Sequence, residues 1–188
     1  MSKNEKQMQI YGEGAWIYFN EPDNKYSKPG EFKVTLKVPK AKAGALIREI
    51  NEVIINELKA THGPSGAERL SKAKKPYTVR GDVVEFKLHS QFKPILWDAD
   101  QNNLDEKINV WSGSTMWANC KATGYTKPII TGATLLLGSV QIDKLVAGEA
   151  LDVCPFPKRT KNLKKETVKD FKKQITESAL PAPERAVI

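Results

Sequence analysis

Cysteine and histidine are both scarce in this chain, with two of each among 188 residues. Cys120 and Cys154 cannot build a disulfide framework, and neither lies in a C-x-x-C pair or at metal-binding spacing from a histidine. Both therefore read as reduced thiols packed as small hydrophobes. His62 stands beside a Gly-Pro and His89 in an alternating stretch, neither with a serine or cysteine in a recognisable catalytic arrangement. The glycines of "GEGAW" do not have the spacing of a dinucleotide or phosphate loop. No apolar run approaches the roughly 20 residues that cross a bilayer. "MSKNEKQMQI" lacks the apolar core of a signal peptide, so the expectation is a protein that stays in the compartment where it is made. These absences argue against a disulfide scaffold, a zinc module, a triad hydrolase and a membrane partner. No catalytic residue, metal ligand or cofactor site is expected.

What the chain does have is positive charge and alternation. Its net charge is +8 and its pI near 9.4, which favours a polyanionic partner. Residues 155–188 hold nine basic and four acidic side chains, so +5 of the excess sits there. That segment opens with "CPFPKRTK", whose prolines disfavour helix and central strand, and it continues with a narrow apolar stripe (Leu163, Val168, Phe171, Ile175) on a basic helical pattern. The expected organisation is a domain over 1–154 and a basic tail over 155–188.

Within the domain, "EFKVTLKVP" alternates most clearly, setting Phe32, Val34, Leu36 and Val38 on one face and Lys33, Thr35 and Lys37 on the other. "VVEFKLHSQF" does the same, with Glu85, Lys87 and His89 on its polar face. A first strand is expected over Ala15–Phe19, with Trp16 and Tyr18 sharing one face. "ITGATLLLGSVQIDKLV" is long and apolar enough for a central strand. Between these strands Leu46, Ile47, Ile50, Val53, Ile54 and Leu58 recur at helical spacing, whereas "THGPSGAERLSKAKKP" has no period and predicts a mobile loop. Five to seven strands with one helix against the sheet suit a small closed or nearly closed barrel.

"INVWSGSTMWANCKATGY" carries the strongest functional signal. As two strands around a glycine turn it sets Trp117 among Thr115, Asn119 and Lys121, opposite Met116, Ala118 and Cys120. Trp111, Trp117 and Tyr125 interleave with Lys107, Lys121 and Lys127, as a protein requires that stacks bases and neutralises phosphates without reading sequence. The same pattern fits a tryptophan pair stiffening a hairpin. Trp97, in an apolar run, reads as core. Arg80 of "RGD" lies in a loop leading into a strand and can reach a phosphate. Asp98, Asp100 and Asp105 allow a metal-dependent nuclease, although Asp-Ala-Asp-Gln-Asn-Asn is also ordinary turn chemistry.

Taken in order, "AWIYFNEPDNKY", "GEFKVTLKVP", the helix, a basic loop ending in "RGD", "FKLHSQF", "ILWDADQNN", "WSGS" and "GATLLLGSVQIDKL" resemble the single-stranded DNA-binding proteins of short-tailed double-stranded DNA phages. The resemblance implies a mainly β OB-fold, a five-stranded Greek-key barrel with extra strands and one amphipathic helix. It implies non-specific coating of single-stranded DNA during phage replication and recombination, in the cytoplasm of an infected bacterium, with phage replication proteins as further partners. It marks Tyr125 and Lys87 as positions at the DNA surface; where this chain has Trp117 and Asn119 the family more often has lysines. The family's acidic tail is replaced here by a basic one. The combined DNA-binding set is Trp16, Tyr18, Lys33, Lys37, Arg80, Lys87, His89, Trp111, Trp117, Lys121 and Tyr125. Single-stranded RNA binding and a pure protein-interaction barrel are the remaining alternatives, and oligomeric state stays open.

Overall fold

The computed structural model describes residues 4–25, 28–105 and 108–146. The basic tail, the boundary expected near Cys154 and Lys107 lie outside the described residues. Seven strands are described: β1 (Glu5–Asp23), β2 (Glu31–Pro39), β3 (Tyr77–Arg80), β4 (Val83–Ser90), β5 (Ile95–Trp97), β6 (Thr115–Thr126) and β7 (Thr131–Lys144). Five of them close a barrel in the order β1-β2-β4-β7-β6, β6 pairing back onto β1, while β3 adds to β4 and β5 to β7. The weakest seam joins β4 to β7 in parallel, through Leu88↔Leu135 and His89↔Leu136.

The strand period decides which side chains fill the barrel. Val34, Leu36 and Val38 of β2 and Val84, Phe86 and Leu88 of β4 are buried, as their alternation requires, and Met116, Ala118, Cys120 and Ala122 of β6 complete the wall. The helix α1 (Lys40–His62) buries Ala43, Ile50, Val53, Ile54 and Leu58 along one stripe. It packs against all five barrel strands and so closes one end of the barrel. Among the described residues no helix is long and apolar enough to cross a membrane.

Two expectations about local structure are corrected. The segment after α1 is not an unstructured loop: Pro64–Lys72 forms a 3-10 helix, anchored where Gly66 passes so close to the Leu58 carbonyl that a Cβ there would lie 2.3 Å from the oxygen. β1 is also far longer than Ala15–Phe19. Its first half, Glu5–Glu13, pairs with β6 and buries Met8 and Ile10.

Candidate nucleic-acid interface

β1 serves two walls of the barrel, and the residues expected at the DNA surface divide between them. Its second half pairs with β2, but between Ala15↔Thr35 and Tyr18↔Lys33 β1 has two residues where β2 has one. The extra residue makes a bulge, and Trp16 sits there with φ of 51°, a left-handed conformation that costs an L-residue about 1–2 kcal/mol. The indole is 72% exposed. Trp16 and Tyr18 therefore do not simply alternate along a regular strand: the bulge turns Trp16 outward, while Phe19 enters the core.

Around Trp16 lies a concavity of about 510 Å³ lined by Tyr18, Lys33, Arg80, Lys87 and His89, among others. The register explains the grouping. Lys33 is opposite both Tyr18 and His89, and Thr35 is opposite Lys87. The Lys33 ammonium lies 4.9 Å from the centre of the Tyr18 ring and donates to Asp23. That hydrogen bond, with a second from the Lys25 backbone N–H, holds the Asp23 carboxyl below its ordinary value. Arg80 Nε lies 3.2 Å from Glu85, at the end of the tight Gly81-Asp82 turn between β3 and β4. His89 is held by Thr134 Oγ1 at 2.6 Å and faces Glu31 at 3.7 Å. Lys87 is exposed and makes no ion pair among the described residues. Lys37, also on β2, lies 3.6 Å from Glu13.

Trp111 joins this side of the molecule. The hairpin expected around Gly113 does not form: residues 108–114 are not strand, and only Thr115 onward enters β6. Gly113, with φ of 96°, takes a conformation a side chain resists. The fully buried Ser114 then ties the turn down, its Oγ donating to the Trp111 carbonyl at 2.8 Å and accepting from Val146 N–H at 2.9 Å. Trp111 consequently lines a concavity of about 340 Å³ with Tyr18, Asn20 and Glu21, not one with Trp117.

The other wall is formed by the first half of β1 with β6, β7 and β5. Here Tyr11, Trp117, Gln141 and Trp97 are register partners across four strands, and Gln9, Asn119 and Ser139 form the next row. Trp117 is 47% exposed and leans on Tyr11 with ring centroids 5.0 Å apart; Tyr11 is fixed in turn by its hydroxyl donating to Asp143 at 2.8 Å. The tryptophan pair expected to stiffen a hairpin is thus not formed: Trp117 packs on Tyr11 instead and leaves about half of its surface exposed. Trp97 is corrected: Leu96 enters the core, whereas Trp97 faces outward into a concavity of about 470 Å³ shared with Trp117. Lys121 lies 3.2 Å from Glu5. Tyr125 lies further along the outer face of β6, with the Lys127 ammonium 5.8 Å from its ring and its hydroxyl pKa raised by burial.

One carboxylate of the aspartate cluster is engaged in a turn. Asp98 accepts from the Asn102 backbone N–H at 2.8 Å and its side-chain amide at 3.2 Å, the turn role its sequence allowed. Among the described residues no three His, Cys, Asp or Glu gather at metal-binding distance. Burial pushes the Cys120 thiol up to about 12, far from a nucleophile. The bulge at Trp16 and the outward Trp97 were missed in the sequence. No composition signal marks a left-handed tryptophan, but the alternation Ile95-Leu96-Trp97 does place Trp97 opposite Leu96.

No protein-family model and no curated protein matches the sequence. Solved structures do match. The single-stranded DNA-binding protein gp2.5 of bacteriophage T7 superposes with a TM-score of 0.65 at 18% identity, over 83% of this chain and 100% of that one. The single-stranded DNA-binding protein of bacteriophage Enc34, solved in complex with single-stranded DNA, gives 0.60 at 15% identity, over 80% of this chain and 89% of that one. The same Enc34 protein in a second structure gives 0.59 at 14% identity, over 79% and 87%. The closed barrel with its two added strands is the OB-fold of these phage single-stranded DNA-binding proteins.

Proposed function

We propose that this protein binds single-stranded DNA without sequence specificity in the wall around Trp16, as a coating protein in the cytoplasm of a phage-infected bacterium. The observation that carries the reading is the strained, outward tryptophan placed beside Tyr18 and Lys87. Backbone strain persists only where the surrounding structure enforces it, and it clusters at functional positions. An exposed indole next to a cation is what base stacking with phosphate neutralisation requires. The fold shared with two phage proteins that bind single-stranded DNA points the same way. In this reading Trp16, Tyr18 and Trp111 are stacking platforms. Lys87 meets a phosphate directly, whereas Lys33, Arg80 and His89 are aligned by carboxylates that the nucleic acid must compete with. Lys37, Lys121 and Tyr125 lie along the outer strand faces beyond this wall. The chemistry is binding, with no bond made or broken.

Titration with oligothymidine at two salt concentrations tests it. Tryptophan fluorescence should be quenched, and the log-log salt dependence should fall by roughly 0.7 per contacted phosphate. An unchanged signal at low salt, with no shift in a gel, would leave a protein-interaction barrel. Equal titrations with RNA decide the sugar preference, and loss of labelled DNA with Mg²⁺ but not with chelator would establish a nuclease.

A further inference from the structure

The concavity between Trp97 and Trp117 has a different chemistry from the wall around Trp16. Its lining is Gln9, Gln101, Asn119, Ser139 and Gln141 with the two indoles, and none of these side chains is charged. A surface built to neutralise phosphate needs cations, and this one has amides. Amides present a donor and an acceptor side by side, which matches the adjacent donor and acceptor on one edge of adenine. The amides also sit in register with the platforms: Gln9 and Asn119 are cross-strand partners one row from Tyr11 and Trp117. Asn119 Oδ1 accepts from Gln7 Nε2 at 2.6 Å, which orients its amide. Gln9 is exposed, and its side chain has no hydrogen-bond partner among the described residues.

Between the two concavities lies another, of about 500 Å³, over the β4–β7 seam and lined by His89, Phe92, Leu136, Lys121 and Gln7. His89 also lines the Trp16 wall, while Gln7 and Lys121 are register partners one row from Gln9 and Asn119. Phe92, 81% exposed, and Leu136, 39% exposed, give this bridge apolar surface for a base to cover. A strand leaving the Trp16 wall past His89 is led over the seam toward Trp117.

We infer that the Trp97–Trp117 concavity is a base-selective subsite on the same bound strand, in which an adenine stacks on Trp117 and is read by the Gln9 and Asn119 amides. The inference rests on the single-stranded DNA reading above. It differs from that reading in making binding depend on base identity at one position.

The test uses the full chain and two oligodeoxynucleotides of equal length, one all thymidine and one of thymidine with single adenosines spaced widely enough that the strand cannot pair with itself. One good amide-to-base pair discriminates by about five-fold or more. The wild-type protein should therefore prefer the adenosine-containing strand by about five-fold at moderate salt. In Gln9→Leu/Asn119→Leu the preference should fall to near unity. Lys87→Ala should weaken both strands equally and leave the preference intact. Gln9→Leu alone, at an exposed position without partners, serves if the double variant does not fold. Binding of both oligonucleotides with equal affinity by the wild type overturns the inference and leaves the DNA reading standing. A preference that survives Gln9→Leu/Asn119→Leu overturns it too. Failure of both oligonucleotides to bind at any salt overturns the DNA reading itself.

Discussion

The two walls of the barrel share β1 and use tryptophan in opposite ways. On the Trp16 wall the indole is held out by strained backbone and surrounded by charged and polar groups, most of them already partnered: Lys33 by Asp23, Arg80 by Glu85, the His89 imidazole by Thr134. On the Trp117 wall the indole is braced by Tyr11 across the unbroken β1–β6 register, and its neighbours are amides. Ions give long-range attraction that salt weakens, whereas stacking and amide contacts act only on contact and are nearly salt-independent. One wall is therefore suited to capture a polyanion and the other to hold or discriminate a base. Trp111, expected beside Trp117, belongs on the capture side because Gly113 and Ser114 form a tied turn before β6 begins.

The most severe way to break the comparison is to remove the core that both walls share. Phe86 is fully buried on β4, in contact with Tyr77 at a ring separation of 6.0 Å. Phe86→Ala should cost about 3–5 kcal/mol of stability and weaken both binding modes together. Chemical denaturation checks the first part. If the two modes responded separately, the walls would not be set by one packed barrel.

A sharper cut compares the two tryptophans. Trp117→Ala and Trp16→Gly should each lose about 1–3 kcal/mol of single-strand binding if a base stacks at each. Their stabilities should move apart. Trp16→Gly relieves a left-handed backbone and should be about 1 kcal/mol more stable than Trp16→Ala, which keeps the strain. Trp117→Ala removes a partner of Tyr11 and should be mildly destabilising. Melting curves beside binding isotherms separate the cases; equal stability of the glycine and alanine variants at position 16 would mean the bulge stores no strain.

Which of these features could be seen in the sequence follows from how local their causes are. The inward and outward faces of β2 and β4, and the buried stripe of α1, are set by residue spacing alone and were legible. So were Lys33, Lys87 and His89 as neighbours on one outer surface, once two strands of that pattern pair. The first half of β1 was not, because its inward positions are Lys6, Met8, Ile10 and Gly12, of which only Met8 and Ile10 are large apolar side chains. The 3-10 helix over Pro64–Lys72 depends on packing against α1, which no period in "PSGAERLSK" announces. The separation of Trp16 from Trp117 onto different walls depends on the length and coiling of β1, a tertiary property. The alternation around Trp97 was present and was outweighed by the apolar character of its neighbours.

A smaller effect distinguishes the walls by salt. Lys87→Ala should reduce the log-log salt slope of DNA binding by roughly 0.7, the share of one phosphate on a single strand. Gln9→Leu, in the uncharged lining of the Trp97–Trp117 concavity, should leave the slope where it was. Isotherms across a salt series measure both, and a slope change in Gln9→Leu would mean that the amide wall also orders phosphate.

The smallest expected effect concerns the paired cations, and it has the unusual sign of a gain. Asp23 neutralises Lys33 in the free protein, and a phosphate approaching that lysine must compete with it. Asp23→Asn frees the ammonium, so DNA affinity should rise slightly at low salt and the slope should steepen by up to roughly 0.7. Stability moves the other way. The Asp23 carboxyl is held below its ordinary value of 3.8 by the Lys33 hydrogen bond, then by the Lys25 backbone N–H. A carboxyl depressed in the folded state stabilises the protein above its unfolded value, and the contribution is lost as pH falls through the folded one. Asp23→Asn should therefore be less stable than wild type at neutral pH, and the two should converge below pH 3.8. Because the pair is only partly buried, the loss should be small. Melting temperatures across an acid series and DNA titrations at low salt measure the two halves separately. A variant that is less stable yet binds no more tightly would place Lys33 outside the path of the strand and leave Lys87 and Trp16 to define the capture wall.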